Sequence, residues 1–98
     1  MYAVVRNYSG AGAKELFELL DERKSDVETA LRAVDGFVSY TLIRTNEGGV
    51  SVTVCQDQDG TDESSQVARD WIKTNTAGLD TNPPTVSKGP VIFRVTGP

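Results

Sequence analysis

The sequence contains no histidine and only one cysteine, Cys55, among its 98 residues. Without histidine the chain cannot form His–Asp or Cys–His catalytic pairs, the usual zinc ligand sets, or proximal-histidine ligation of haem. A single cysteine cannot form an internal disulfide, which is typical of a reducing compartment. These absences predict a protein that needs neither a metal ion nor a cofactor.

Long apolar runs and an excess of positive charge are also missing. No stretch approaches the roughly 20 apolar residues that cross a bilayer, and residues 1–7 lack the basic and apolar regions of a signal peptide. The formal net charge of −4 disfavours nucleic acid and anionic membranes, which attract basic patches. We therefore expect a cytoplasmic protein that binds neither nucleic acid nor membranes.

Alternation of apolar and polar residues predicts four strands within one domain, residues 1–98. The first strand covers residues 2–8. A hairpin joins the strands at residues 37–44 and 50–56 through a turn rich in Asn and Gly. The last strand covers residues 90–95. Pro90 is placed at its start, because proline has no backbone N–H to donate to a neighbouring strand.

Two helices are predicted between these strands. The first covers residues 13–34, where apolar residues recur at the helical period, although the capping-box pattern Ser25-Asp-Val-Glu28 leaves open a break near Lys24-Ser25. The second begins at Thr61 or Asp62 and continues to about residue 74, with Trp71 on its inner face.

The order β-α-β-β-α-β predicts an α+β, ferredoxin-like fold: a four-stranded antiparallel sheet with both helices on one face. Both faces of the strands carry Val, Ile, Phe or Tyr. Helices cover only one of these faces, so the other needs an apolar partner. A second copy of the chain is the simplest partner, which predicts a homodimer that forms through the sheet faces.

Three segments resemble the dimeric α/β-barrel superfamily, and most of all its antibiotic-biosynthesis-monooxygenase-like domains. They are the first strand with the long helix after it, the run Asp35-Gly-Phe-Val-Ser-Tyr40, and the strand ending at Cys55 followed by a helix with Asp62-Glu-Ser64 and Trp71. The resemblance covers nearly the whole chain. It implies a barrel of two sheets packed face to face, with a cavity between helices and sheet in each subunit.

The same resemblance implies a small aromatic or polyketide-like ligand and a cofactor-independent, monooxygenase-like activity. A non-catalytic ligand-binding or regulatory domain is the alternative. Haem degradation, also found in this superfamily, depends in most cases on a histidine that this chain lacks. The cofactor-free oxygenases use a helix tryptophan with nearby Asn, Tyr and Arg side chains, which implies Trp71 with Asn7, Tyr40 and Arg94 as pocket candidates.

Each candidate also has a purely structural interpretation. A tryptophan on an inner helical stripe is more often part of the core, and we predict that Trp71 both packs on the sheet and borders a cavity. The arginines in predicted strands, Arg6, Arg44 and Arg94, are more often surface ion-pair partners. An arginine that points into the cavity would need a carboxylate or an anionic ligand.

Overall fold

A computed structural model describes the whole chain, from Met1 to Pro98. Four strands form one antiparallel sheet, and they are β1 (Tyr2–Ser9), β2 (Phe37–Thr45), β3 (Gly48–Cys55) and β4 (Thr85–Pro90). Three helices pack on one face of the sheet, and they are α1 (Ala13–Glu22), α2 (Lys24–Arg32) and α3 (Gln58–Asn75). The strand order is β2-β3-β1-β4. The two parallel strands of each βαβ unit are therefore separated by a third strand: β3 lies between β1 and β2, and β1 lies between β3 and β4. This architecture confirms the predicted ferredoxin-like fold.

The first helical region is broken into two helices, which resolves the alternative that the sequence pattern left open. Arg23 lies between α1 and α2 with φ −108° and ψ 24°, outside the helical region. The Arg23 Nε–H donates to a carboxylate oxygen of Asp26, in the first turn of α2, at 2.8 Å. The apolar stripe nevertheless stays in phase, because Leu20 before the break and Val27 after it are both buried.

Helix α3 begins three residues before the earlier of its predicted starts. Asp57 is its N-cap, and the Asp57 carboxylate accepts a hydrogen bond from the Gly60 backbone N–H at 3.0 Å. Gly60 is buried, and a Cβ there would lie 2.8 Å from the Cβ of Cys55. Glycine is therefore required by close packing inside the first turn of the helix.

The prediction of a last strand at residues 90–95 was wrong. Residues 85–90 occupy the free edge of β1 instead, with Val86 opposite Arg6 and Lys88 opposite Val4. Residues 91–98 form no regular structure, although the Val91 N–H still donates to the Met1 carbonyl at 2.9 Å. Ile92 is 94% exposed, because no strand of the same chain lies beside this carboxy-terminal segment.

The register separates an inner sheet face under the helices from an outer face. Val4, Arg6 and Tyr8 of β1 are buried on the inner face, opposite Thr53, Ser51 and Gly49 respectively. Gly49 is needed there because a Cβ would lie 2.2 Å from the Phe17 ring. The outer face carries half-buried apolar side chains from the two central strands: Ala3, Val5, Val50, Val52 and Val54.

None of the three helices is both long enough and apolar enough to pass through a lipid bilayer.

Candidate functional site

An open cleft of about 850 Å³ lies between α3, the inner face of β1 and β4, and residues 76–84, which join α3 to β4. This volume falls within the range of small-molecule sites, roughly 300–1,000 Å³. A second groove, between α2 and β2, has about 490 Å³. Only the first contains a fully buried charged side chain, so we treat it as the candidate site and call it the α3 cleft.

The outer wall of the α3 cleft depends on the turn between β1 and α1. The Asn82 backbone N–H donates to the Ala11 carbonyl at 3.2 Å. Gly12 adopts φ +78°, and a Cβ at Gly12 would lie 2.1 Å from the carbonyl oxygen of Asp80. A residue other than glycine would therefore strain the backbone and displace this wall.

Arg6 lies at the floor of the α3 cleft and is only 4% exposed. Its guanidinium donates to Thr53 Oγ1 at 3.3 Å and to Ser65 Oγ. All five salt bridges in the molecule involve other residues. Burial lowers the pKa of Arg6, since desolvation disfavours the charged form. The cleft thus holds a buried cation that has hydrogen bonds but no countercharge.

The rim of the α3 cleft adds more positive charge. Arg69, Lys73 and Lys88 line it together with one carboxylate, Asp62. With Arg6, four cations and one anion give a formal charge of +3 in a chain whose net charge is −4. The Lys88 ammonium lies 3.5 Å from the Asp62 carboxylate, so the only carboxylate of the cleft is already paired.

Trp71 is half-buried and lines a small apolar cavity beside the cleft. The cavity has about 20 Å³, enough for about one water molecule and too little for an aromatic ligand. Tyr40 and Ser51 also line it. Tyr8, Ala68 and Ile72 line both the cavity and the cleft, so these residues lie between the two spaces.

The phenols on the inner sheet face are hydrogen-bonding groups rather than bases at neutral pH. Burial raises the pKa of Tyr40 to about 12 and also raises the pKa of Tyr8. Burial likewise raises the pKa of the Cys55 thiol, which makes it a poor nucleophile.

The structure brings together two of the four predicted pocket residues, Trp71 and Tyr40. Asn7 is exposed and lies on the outer face of β1. Arg94 is exposed in the carboxy-terminal tail, where it donates to the Met1 sulfur at 3.8 Å. The cleft residues that were not predicted come mainly from α3 and the connection after it. Arg6 could have been found from its alternation with Val4 and Tyr8, which places a cation on an apolar face.

No protein-family model matches the chain, and no curated protein is significantly similar to it in sequence. Solved structures nevertheless share its fold over nearly their whole length. A heme-degrader from Mycobacterium tuberculosis, MhuD, with two hemes bound in its active site, has a TM-score of 0.65 at 19% identity, covering 97% of this chain and 98% of that chain.

A monooxygenase from the gene ActVA-Orf6 of Streptomyces coelicolor, in complex with the ligand nanaomycin D, has a TM-score of 0.65 at 16% identity; the match covers 99% of this chain and 91% of that one. A dimeric ferredoxin-like protein from an uncultured marine organism has a TM-score of 0.66 at 15% identity, with 98% and 96% covered. The chain therefore shares the ferredoxin-like fold of these proteins, as its sequence resemblance implied.

Proposed function

We propose that this chain, with its monooxygenase-like α/β-barrel fold, is a homodimeric protein that binds a small aromatic or polyketide-like molecule in the α3 cleft. The observation that carries the proposal is an 850 Å³ space with a buried polar group at its floor. Val4 and Ile72 offer apolar contacts, and Pro83 and Pro84 face them from the connection. These apolar contacts suit a flat ring system, and the polar and charged side chains that make up most of the lining would fix its orientation.

The ligands bound to the fold neighbours support the proposed ligand class. Two of them were solved with large conjugated ring compounds, nanaomycin D and haem. Haem suits this chain less well, because it has no histidine to ligate the iron. We therefore favour a metal-free aromatic compound.

Cofactor-independent oxygenation is the catalytic form of this proposal. A cationic cleft stabilises the anion of a bound phenol or enol, and such an anion is the form that reacts with oxygen. Trp71 and Tyr40 lie in the adjoining cavity and would define the depth of the site. One observation favours the alternative, ligand binding without catalysis. The only carboxylate of the cleft, Asp62, is paired with Lys88, so no free carboxylate is available as a base.

Self-association is the second part of the proposal. The outer sheet face presents half-buried valines, and the tail adds exposed Ile92, Phe93 and Val95. Another copy of the chain could cover both surfaces, and one fold neighbour is a dimeric ferredoxin-like protein. We also propose that the protein works in the cytoplasm, because its one cysteine, Cys55, is free and buried.

A panel of naphthols, anthrones and quinols tests ligand binding by thermal shift. A ligand at one hundred times its dissociation constant adds about 2.7 kcal/mol to stability, a readily measured rise in melting temperature. Val86→Trp should abolish the shift, because Val86 lines the cleft and a larger side chain would fill it. Thr74→Trp, at an exposed position of α3 outside the cleft, is the matched control.

Oxygen consumption with the compounds that bind then separates the two forms of the proposal. Uptake that requires protein and disappears in Val86→Trp supports an oxygenase, whereas binding without uptake supports the non-catalytic alternative. If no compound of the panel shifts the melting temperature at millimolar concentration, the aromatic-ligand proposal is wrong.

A further inference from the structure

We infer that the α3 cleft recognises an anionic group of its ligand, a carboxylate or a phenolate, and that Arg6 is the residue that receives it. This inference adds a charged group to the ligand of the proposed function. The aromatic part of that ligand rests on the proposed function itself. The buried cation at the floor, by contrast, is observed directly in this chain.

The first step of the argument is the missing countercharge. Arg6 is 96% shielded from solvent, yet its two side-chain hydrogen bonds go to the neutral hydroxyls of Thr53 and Ser65. A guanidinium remains charged in proteins, and burying a charge without an opposite one is costly. A fold that maintains such a group commonly does so for function rather than stability.

The second step is that the side chains around Arg6 supply no negative charge. Tyr8, Tyr40 and Cys55 are the acidic groups that influence it, and burial raises the pKa of all three, so they stay neutral at pH 7. Arg69 is a further neighbour and adds repulsion. None of these groups balances the charge of Arg6, so an anionic ligand is free to do so.

The third step is access. Arg6 lines the α3 cleft, so an anion can approach it without crossing the core. Arg69 and Lys73 also line the cleft and would hold the rest of an anionic group near its mouth. A planar guanidinium pairs with carboxylates through two parallel hydrogen bonds, which favours a carboxylate that enters edge first; a phenolate has one oxygen and would accept charge-assisted hydrogen bonds at that atom alone.

A pair of probes that differ only in charge tests the inference: 2-naphthoate and its neutral isostere 2-naphthamide. Calorimetric titration should give an affinity for naphthoate about tenfold to a hundredfold higher, because charge-assisted hydrogen bonds are worth more than neutral ones. Arg6→Met should remove this preference. Arg69→Gln should reduce it only partly, and Thr74→Gln, outside the cleft, should leave it unchanged.

Stability without ligand distinguishes a binding arginine from a structural one. If Arg6 serves the ligand, Arg6→Met should melt at the same temperature as the native chain or higher, since a buried unpaired charge is replaced by an apolar side chain. If Arg6 only supports Thr53 and Ser65, its removal should lower the melting temperature without altering the naphthoate preference. Should Arg6→Met fail to fold, Arg69→Gln and the salt dependence of naphthoate binding still decide the question.

The outcomes separate this inference from the proposed function. Equal binding of both probes, or full naphthoate binding by Arg6→Met, overturns the anion inference and leaves an aromatic-binding cleft. Stabilisation of the native chain but not of Arg6→Met by inorganic phosphate, with neither naphthalene bound, supports the anion site and contradicts the aromatic ligand. If neither probe binds and phosphate has no effect, both proposals are wrong.

Discussion

Tyr40 lies on the inner sheet face, where it lines the cavity beside Trp71 and interacts electrostatically with the buried Arg6. Burial there raises the pKa of Tyr40 to about 12, because the phenolate would lose its hydration. Arg6 opposes this shift by attraction but does not cancel it. The inner sheet face therefore carries a neutral phenol near a cation, although Tyr40 lines the small cavity and not the α3 cleft itself.

This shift predicts how stability changes at alkaline pH. In the unfolded chain the phenol of Tyr40 loses its proton near pH 10, whereas in the folded chain it keeps it to about pH 12. Between these values the unfolded state binds fewer protons, so stability should fall as pH rises, by up to about 1.4 kcal/mol per pH unit. Urea denaturation from pH 9 to pH 12 measures this slope. Tyr40→Phe should flatten it, and an unchanged slope would contradict the assignment.

Trp71 offers a second test at the level of the residue. Its ring is half-buried and borders a cavity, so Trp71→Ala should cost about 2–3 kcal/mol, below the range for a fully packed aromatic. Trp71→Phe should keep most of the stability and alter ligand response. Urea denaturation with and without a bound naphthol measures both effects, and a loss well above 4 kcal/mol would show that the ring is simply core.

The site could be predicted only in part because its residues come from distant parts of the chain. The inner position of Trp71 follows from the helical period, which is local information. The opposite placement of Asn7 and Arg6 follows from which face of β1 the helices cover, and that depends on packing across the whole sheet. Arg94 failed to join the site because residues 85–90, rather than its own segment, pair with β1.

Among the elements, α3 depends on one capping interaction. The Asp57 carboxylate accepts from Gly60 N–H and lies at the positive end of the helix dipole. Asp57→Ala should therefore cost about 1 kcal/mol. Gln58→Ala is the control, since its side chain is exposed and makes no capping bond. Urea denaturation measures the difference; equal midpoints for the two variants would contradict the capping role.

Element types were predictable from the sequence, but two boundaries were not. The break at Arg23 and the start at Gln58 depend on backbone conformation and on the packing of Gly60 against Cys55. The last strand was misplaced for a different reason. Residues 91–95 are rich in Val, Ile and Phe, which favours a strand, but a strand forms only where a neighbouring strand is free to pair.

For the whole molecule, the apolar outer face and the exposed tail predict a homodimer. Sedimentation at micromolar concentration should give about twice the chain mass of 10.6 kDa. Val52→Lys should dissociate it, because Val52 lies at the centre of the outer face and an interface does not tolerate an unpaired charge. Thr74→Lys on exposed α3 is the control. A native chain that sediments as a 10.6 kDa species would contradict the dimer.

The wall between the cavity and the α3 cleft includes Tyr8, Ala68 and Ile72, which line both spaces. Its thickness can therefore change through one substitution, with the backbone and Arg6 left in place. Shortening Ile72 would join the two spaces and let a longer ring system reach Trp71. If Arg6 receives the anionic group as proposed, ligand length and ligand charge depend on different residues, and Ile72 variants should accept more fused rings and still require an acid.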